Sequence, residues 1–186
     1  MDKEITQIQI GTARVILVQG DITEQGTHAI VNAANSGLMG GGGVDGAIHR
    51  KGGPDILNEC KIIRESLPDG LPTGDAVVTT GGRLRAEHVI HTVGPIWSGG
   101  GTGEPELLAR AYRNSLALAL KMGFRSISFP SISTGAYGYP IEKASRIALG
   151  SVIEFLEKNK GIDEIRFVLH STHDLRVYED ALKELA

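Results

Sequence analysis

Residues 30–49 read Ile30-Val31-Asn32-Ala33-Ala34-Asn35-Ser36-Gly37-Leu38-Met39-Gly40-Gly41-Gly42-Gly43-Val44-Asp45-Gly46-Ala47-Ile48-His49. A short apolar run ends in two asparagines, and four consecutive glycines then lead into a helical pattern that begins near Val44. The run 28–33 fits a buried strand, and 44–51 fits a helix. A strand, a glycine loop and a helix in immediate succession make the repeating unit of an α/β sheet. Glycines directly before a helix expose backbone N–H groups at the positive end of the helix dipole, which suits a phosphate. Each glycine also costs conformational entropy on folding. A bound ligand accounts for four in a row more readily than a bare turn does. Asp45 and His49 are four residues apart, on one helix face pointing back toward the loop. As a plain surface pair they would contribute only a few tenths of a kcal/mol. The loop is not a Walker A sequence, because no Lys-Ser/Thr follows the glycines. It also lacks the G-x-G-x-x-G spacing, with an acid about 20 residues on, of a dinucleotide-binding βα turn.

Working outward, residues 4–10 and 13–18 read as strands joined by a turn at Gly11-Thr12. Gly52-Gly53-Pro54 separates the helix at 44–51 from a second helix over 55–65. Strands are expected over 75–80, 86–93, 126–129 and 163–169. Helices are expected over 104–122, 140–158 and 174–185. In the first of these three, Leu107, Leu108, Ala111, Tyr112, Leu116, Ala119 and Leu120 recur at spacings of three and four. Gly123 stands where a helix-ending glycine would, and Pro140 stands near the first turn of the next helix. Strands alternating with long helices predict helices on both faces of a mostly parallel sheet. The first hairpin makes that sheet mixed. Residues 1–186 are expected to form one domain. Ligands of such sheets lie beyond the carboxyl ends of the strands, which directs attention to the segments after 33 and after 129.

Composition narrows the function. The chain has 186 residues, 41% hydrophobic and 22% charged, the profile of an ordinary globular domain. Its net charge of −3 argues against neutralising many nucleic-acid phosphates, so no nucleic-acid partner is expected. No apolar run approaches the ~18 residues of a membrane span, so no membrane partner is expected either. The opening residues, Met1-Asp2-Lys3-Glu4-Ile5, lack the apolar core of a secretory signal, and a cytoplasmic location follows as the expectation. The single cysteine, Cys60, excludes an internal disulfide and a four-cysteine metal site. It reads as a buried apolar residue rather than a nucleophile. His88 with His91, and His170 with His173, lack further ligands nearby. They read as ordinary histidines, and no metal or cofactor is expected. Glycine is the outlier, at 25 residues against an average share of about 7%.

Two further segments carry chemistry. Ser131-Ile132-Ser133-Thr134-Gly135-Ala136-Tyr137-Gly138-Tyr139-Pro140 lies between a strand and a helix. It offers hydroxyls and backbone amides, a second candidate phosphate clamp. One of its two tyrosines is expected to pack into the core. Gln19-Gly20-Asp21-Ile22-Thr23 turns out of a strand. On its own Asp21 reads as a cap for the turn, and it also suits a ligand amine that donates to its carboxylate.

Taken together, Val31-Asn32-Ala33-Ala34-Asn35-Ser36 with the poly-glycine loop, Val44-Asp45-Gly46-Ala47-Ile48-His49, and Ser133-Thr134-Gly135-Ala136-Tyr137-Gly138-Tyr139-Pro140 resemble the macrodomain family. The nearest subgroup is the MacroD-like ADP-ribosyl hydrolases. The match continues through Arg50-Lys51-Gly52-Gly53-Pro54, Leu71-Pro72-Thr73-Gly74-Asp75 and His88-Val89-Ile90-His91-Thr92-Val93-Gly94-Pro95-Ile96-Trp97. It covers residues 13–185, and residues 1–12 correspond to an extra edge strand. The resemblance implies a three-layer α/β/α sandwich around a mixed, mostly parallel sheet, with a cleft for ADP-ribose. It implies that Asp21 accepts from the adenine amine beside the Ile22 backbone. The diphosphate would be wrapped by Gly41, Gly42, Gly43 and Val44 of one loop and by Ser133, Thr134, Gly135, Ala136 and Tyr137 of the other. Asn35 would bond the distal ribose, which Tyr137 would cover. Asp45 would position or activate a water, and His49 would orient its surroundings. One position departs from the family pattern, in that His170 stands where an aromatic ring commonly stacks on adenine.

The activity this implies is hydrolysis of ester links at the distal ribose, on O-acetyl-ADP-ribose and on mono-ADP-ribosylated acidic side chains of proteins. No metal is required, and a monomer is expected. The alternative is a module that reads ADP-ribose without cleaving it. The joint presence of Asn35, Asp45 and His49 favours the enzyme. A general nucleotide or nucleic-acid binder is a third reading, marked by binding that falls steeply with salt.

Overall fold

The stretches on either side of Gly11-Thr12 pair as an antiparallel hairpin, β1 (Lys3–Ile10) and β2 (Ala13–Gln19). They belong to a computed structural model that describes residues 3–185. The edge strand expected over residues 1–12 therefore runs through Lys3–Ile10, and residues 1 and 2 lie outside the described residues. After a 3-10 turn at Ile22–Glu24 come β3 (Ala29–Ala33), α1 (Gly43–Gly52), α2 (Pro54–Glu65), β4 (Ala76–Thr80) and β5 (His88–Thr92). The chain continues through α3 (Glu104–Lys121), β6 (Ser126–Phe129), α4 (Ile141–Lys158), β7 (Glu164–Leu169) and α5 (Thr172–Leu185). Every expected element is present, with ends moved by at most two residues. Pro140 is the N-cap of α4 rather than part of its first turn. Gly53, at φ +81°, separates α1 from α2 in a left-handed conformation that a side chain would strain, and Pro54 opens α2 with its fixed φ.

The seven strands form one sheet in the order β1-β2-β7-β6-β3-β5-β4. The inner strands β2, β7, β6, β3 and β5 are mutually parallel. Both edges are antiparallel, because β4 turns back along β5 just as β1 turns back along β2. The second antiparallel edge lies beyond what the sequence reading anticipated.

Alternation along the strands feeds two cores. Val15 and Leu17 of β2, Ile127 and Phe129 of β6, and Ile165 and Phe167 of β7 pack beneath α3, α4 and α5. In α3 the buried stripe is Leu108, Ala111, Tyr112, Ser115, Leu116 and Ala119, the spacing a helix needs to cover a sheet. Its ring Tyr112 lies 5.2 Å from Phe129 between centroids, and Phe167 lies 5.4 Å from Tyr178 of α5. On the other face Ile30, Val89 and Val168 pack against Ile48 of α1 and Ile56 and Cys60 of α2. The result is the expected three-layer arrangement of helices, sheet and helices.

Candidate functional site

Because the five inner strands are parallel, their carboxyl ends share one edge of the sheet. Asp21 follows β2, the glycine loop follows β3, residues 93–103 follow β5, residues 130–140 follow β6 and His170 follows β7. All three sequence segments that carry chemistry therefore come to the same edge.

The glycine loop lies directly over the polar residues expected there. A Cβ placed on Gly41 would stand 3.2 Å from Asp45 Oδ2 and 3.3 Å from Asn35 Nδ2, and one on Gly40 would stand 3.7 Å from His49 Cδ2. The loop is held from below by Leu38, fully buried at φ +58°, and from the side by Asn35 Nδ2, which donates to Gly40 O at 3.0 Å. The approach of helix to loop is close. A Cβ on Gly46 would meet Gly41 O at 2.5 Å, so only glycine fits there. Gly42 is the N-cap of α1 and supplies no side-chain cap, which leaves the first amides of the helix facing the loop. Gly41, Gly42 and Gly43 are exposed, and Val44 is half-buried.

Beneath the loop Asp45 is buried, at 5% exposure. Its Oδ1 accepts from Asn32 Nδ2 at 2.7 Å and lies 3.4 Å from His49 Nε2. Asn35 is half-buried at the rim. The structure thus brings Asn35, Asp45 and His49 together beneath the loop. It also brings in Asn32, which the sequence reading takes only as the end of a strand, and His91, which it takes as an ordinary histidine. Asn32 faces His91, its register partner on β5, and the two are linked at 3.1 Å between Asn32 Nδ2 and His91 Nδ1. His91 Nε2 lies 2.9 Å from Thr79 Oγ1 and 3.9 Å from Cys60 Sγ. His91 is fully buried. Burial, with the nearby charge of His49, pushes its pKa down to about 3. Cys60 is also fully buried, and burial, then Asp45 and Glu59, pushes its thiol up to about 11. That suits the apolar role expected of it and disfavours a thiolate.

The second loop is anchored through tyrosines of the core. Ile132 N donates to Tyr112 Oη at 3.1 Å, and Tyr178 Oη donates to Ser131 Oγ at 2.9 Å. Tyr139 is the tyrosine that enters the core, and Tyr137 stays half-exposed. Ser133 holds φ +67°, a left-handed conformation costly for a residue with a Cβ. Its hydroxyl is buried without a hydrogen-bond partner among the described residues, as are Asn32 Oδ1 and His49 Nε2. Strain and unmet polar atoms cluster at functional sites. Thr134 Oγ1 donates to Ser131 O at 3.0 Å, while Gly135 and Ala136 are exposed. Trp97 N donates to Tyr137 O at 2.9 Å, which ties the loop after β5 to this one. A groove of about 310 Å³ runs from Ser36 and Tyr137 past Thr73, Pro95 and Ile96.

At the far end of the edge Asp21 caps the 3-10 turn, accepting from Thr23 N at 2.9 Å and Thr23 Oγ1 at 2.6 Å through Oδ1. Its Oδ2 lies 3.7 Å from Lys51 Nζ. Burial raises its pKa, but the Thr23 hydrogen bonds and then Lys51 outweigh it, and the net shift is downward. Ile22 is buried behind it. His170 is exposed, and its charge is felt at Asp21.

A larger depression, about 530 Å³, lies at the opposite sheet edge among Arg14, His28, Arg125, Ser126 and Asp163. Its arginines pair with acids, Arg125 with Asp163 and Arg14 with Glu164. Among the described residues no cluster of histidine, cysteine and acids is arranged to hold a metal, and no helix is long and apolar enough to cross a membrane.

Comparison with known proteins places this edge in context. The family model described as Macro domain matches residues 31–148. A macro domain-containing protein of Caldanaerobacter subterraneus subsp. tengcongensis is 56% identical over 172 residues, 92% of this chain and 97% of that protein. A protein of Salmonella typhimurium (strain LT2) named O-acetyl-ADP-ribose deacetylase is 50% identical over 173 residues, 93% of this chain and 96% of its own. Among solved structures, the Oceanobacillus iheyensis macrodomain with ADP superposes with a TM-score of 0.94 at 45% identity, covering 100% of this chain and 97% of that one.

Proposed function

The chain belongs to the macro domain family, and on that footing we propose that it binds ADP-ribose along the carboxyl edge of its sheet and hydrolyses ester links at the distal ribose. The observation that carries the proposal is a buried Asp45, held at 2.7 Å by Asn32 and covered by a glycine loop that no side chain caps. A carboxyl kept under a phosphate-binding loop is placed to act on whatever the phosphate anchors.

In this reading Asp21 Oδ2 accepts from the adenine amine, beside the Ile22 backbone. The diphosphate lies between the amides of Gly41, Gly42, Gly43 and Val44 and those of Ser133, Thr134, Gly135, Ala136 and Tyr137. Amides of nests and helix N-termini supply the positive potential, so a chain of net charge −3 needs no lysine cluster to hold a dianion. Asn35 bonds the distal ribose and Tyr137 covers it. A water held between Asp45 and the substrate's phosphate attacks the ester carbonyl. The carbonyl carbon–ribose oxygen bond breaks, the acid leaves, and the ribose oxygen takes up a proton. His49 orients this region. The substrates are O-acetyl-ADP-ribose and mono-ADP-ribosylated acidic side chains of proteins. The name carried by the Salmonella relative supports the first of these. We further propose a single-domain monomer working in the cytoplasm.

The test is incubation of the purified chain with O-acetyl-ADP-ribose. Release of ADP-ribose and acetate in equal amounts is the expected result. Tight binding without turnover of this ester or of a mono-ADP-ribosylated protein would make the chain a reader of ADP-ribose.

A further inference from the structure

From the buried hydrogen-bond chain Asp45–Asn32–His91–Thr79 we infer that His91 is a positioning residue for the proposed hydrolysis, acting through Asn32 to fix the Asp45 carboxyl. The inference rests on the hydrolase reading of the same site. Its basis is a chain of contacts whose polarity is argued from the Asn32–Asp45 bond outward.

Asn32 is fully buried. Its Nδ2 stands 2.7 Å from Asp45 Oδ1, and the reverse amide orientation would set its carbonyl oxygen against a carboxyl oxygen. One hydrogen of that NH2 is thereby committed to Asp45. The other points at His91 Nδ1, 3.1 Å away. A ring nitrogen facing a donor must accept, so Nδ1 carries no hydrogen. The neutral imidazole then has its hydrogen on Nε2, which faces Thr79 Oγ1 at 2.9 Å. Thr79 in turn donates to Thr80 O at 3.0 Å. The chain thus starts at a fixed strand carbonyl and ends at the carboxyl in the site.

Protonated His91 would present a hydrogen to the Asn32 amide and break the chain at its centre. The fold guards against this. His91 is fully buried, and the titratable groups facing it are His49 and Asp45 on α1 and Cys60 on α2, with Glu59 one position further at Thr80 N. Burial, then the His49 charge, holds it neutral far below its ordinary range. Asn32 Oδ1 has no partner among the described residues. The amide is therefore held from its Nδ2 side, and His91 supplies half of that hold. The partnership is non-local, since Asn32 and His91 are 59 positions apart and meet only through strand register.

The direct test is the tautomer. Side-chain nitrogen NMR of the wild-type chain should show His91 neutral, with its hydrogen on Nε2, from pH 7 to pH 5. A hydrogen on Nδ1, or a charged ring in that range, overturns the inference with no variant needed. The kinetic test compares His91→Leu, His91→Asn and Thr79→Val. His91→Leu should lower kcat for O-acetyl-ADP-ribose by about tenfold and leave the ADP-ribose Kd within about threefold. It should also shift the acid limb of the kcat–pH profile. His91→Asn, which keeps an acceptor near Nδ1, should recover most of the loss, and Thr79→Val should fall between. An unchanged kcat and profile in His91→Leu, or no rescue by Asn, overturns the inference. If His91→Leu does not fold, His91→Asn, Thr79→Val and the tautomer decide. The Asn32 side-chain amide resonances, followed in wild type and variants, need no turnover. They should move in Thr79→Val if the chain holds the amide, even if the hydrolase reading fails.

Discussion

Ser133 and Asp45 are the two buried polar residues on which the proposed site most depends. Ser133 sits at φ +67° with its hydroxyl buried and unpartnered, so two costs fall on one residue of the second loop. Left-handed backbone costs a residue with a Cβ about 1–2 kcal/mol, and an unmet buried hydroxyl costs about 1–3 kcal/mol. Glycine removes both and costs about 0.4–1 kcal/mol through the unfolded chain. Ser133→Gly should therefore raise stability by at least about 1 kcal/mol in urea unfolding and weaken ADP-ribose binding by calorimetry. A variant that is less stable, or that binds unchanged, contradicts a strained serine kept for the ligand. Asp45 and His49 were legible in sequence because the helical period of α1 puts them on one face. Their partners Asn32 and His91 were not legible. They reveal themselves only when β3 and β5 are laid side by side, and neither strand says which neighbour it will take. The two tyrosines of the second loop illustrate the same limit. The loop sequence leads one to expect a single tyrosine in the core, and only the folded chain shows that it is Tyr139, against Trp97 at 4.5 Å between ring centroids.

At the scale of elements, the site is made where α1 meets the loop that precedes it. Gly46 allows that contact, since a Cβ there would stand 2.5 Å from Gly41 O and 2.9 Å from Arg50 Nη1. Arginine has a flexible end that moves aside, whereas the Gly41 carbonyl is backbone. Gly46→Ala improves helix propensity by about 1 kcal/mol but overpacks the contact, at about 1–3 kcal/mol. The expected outcome is a net loss of stability and a larger loss of ADP-ribose affinity, read by thermal unfolding and calorimetry. A more stable variant with unchanged affinity would show that the helix and loop do not need this approach. The helix and strand boundaries followed from periodicity and from Gly/Pro punctuation, as at Gly53-Pro54. The direction of β4 did not, because a five-residue strand carries no mark of whether its neighbour runs with it or against it.

For the whole molecule, the buried His91 couples the site to stability. Its pKa is near 3 when folded and near 6.5 when unfolded. Below pH 6.5 the unfolded chain therefore binds a proton that the folded chain refuses, and stability rises with pH in that window. The His91 contribution is fully present above pH 6.5 and is lost as the pH falls toward 3. Between pH 6.5 and pH 5 the loss is about 2 kcal/mol, at about 1.4 kcal/mol per unit. Urea unfolding at the two values should show it, and His91→Asn should flatten it. An equal pH slope in both proteins would remove His91 as the cause. Charge at this scale also predicts how the ligand is held. If amides rather than a basic patch hold the diphosphate, as proposed, the ADP-ribose Kd should change little with salt, in contrast to the steep fall of polyanion binding. A log–log salt slope as steep as that of a nucleic-acid binder would contradict the amide-held diphosphate.

The most direct measurement pairs kinetics and calorimetry on the same samples of wild type and Asp45→Ala. Turnover of O-acetyl-ADP-ribose should be sharply reduced in the variant while the ADP-ribose Kd stays within about tenfold, roughly 1.4 kcal/mol. An equal loss of binding and turnover, or full turnover without Asp45, would contradict its place in the chemistry.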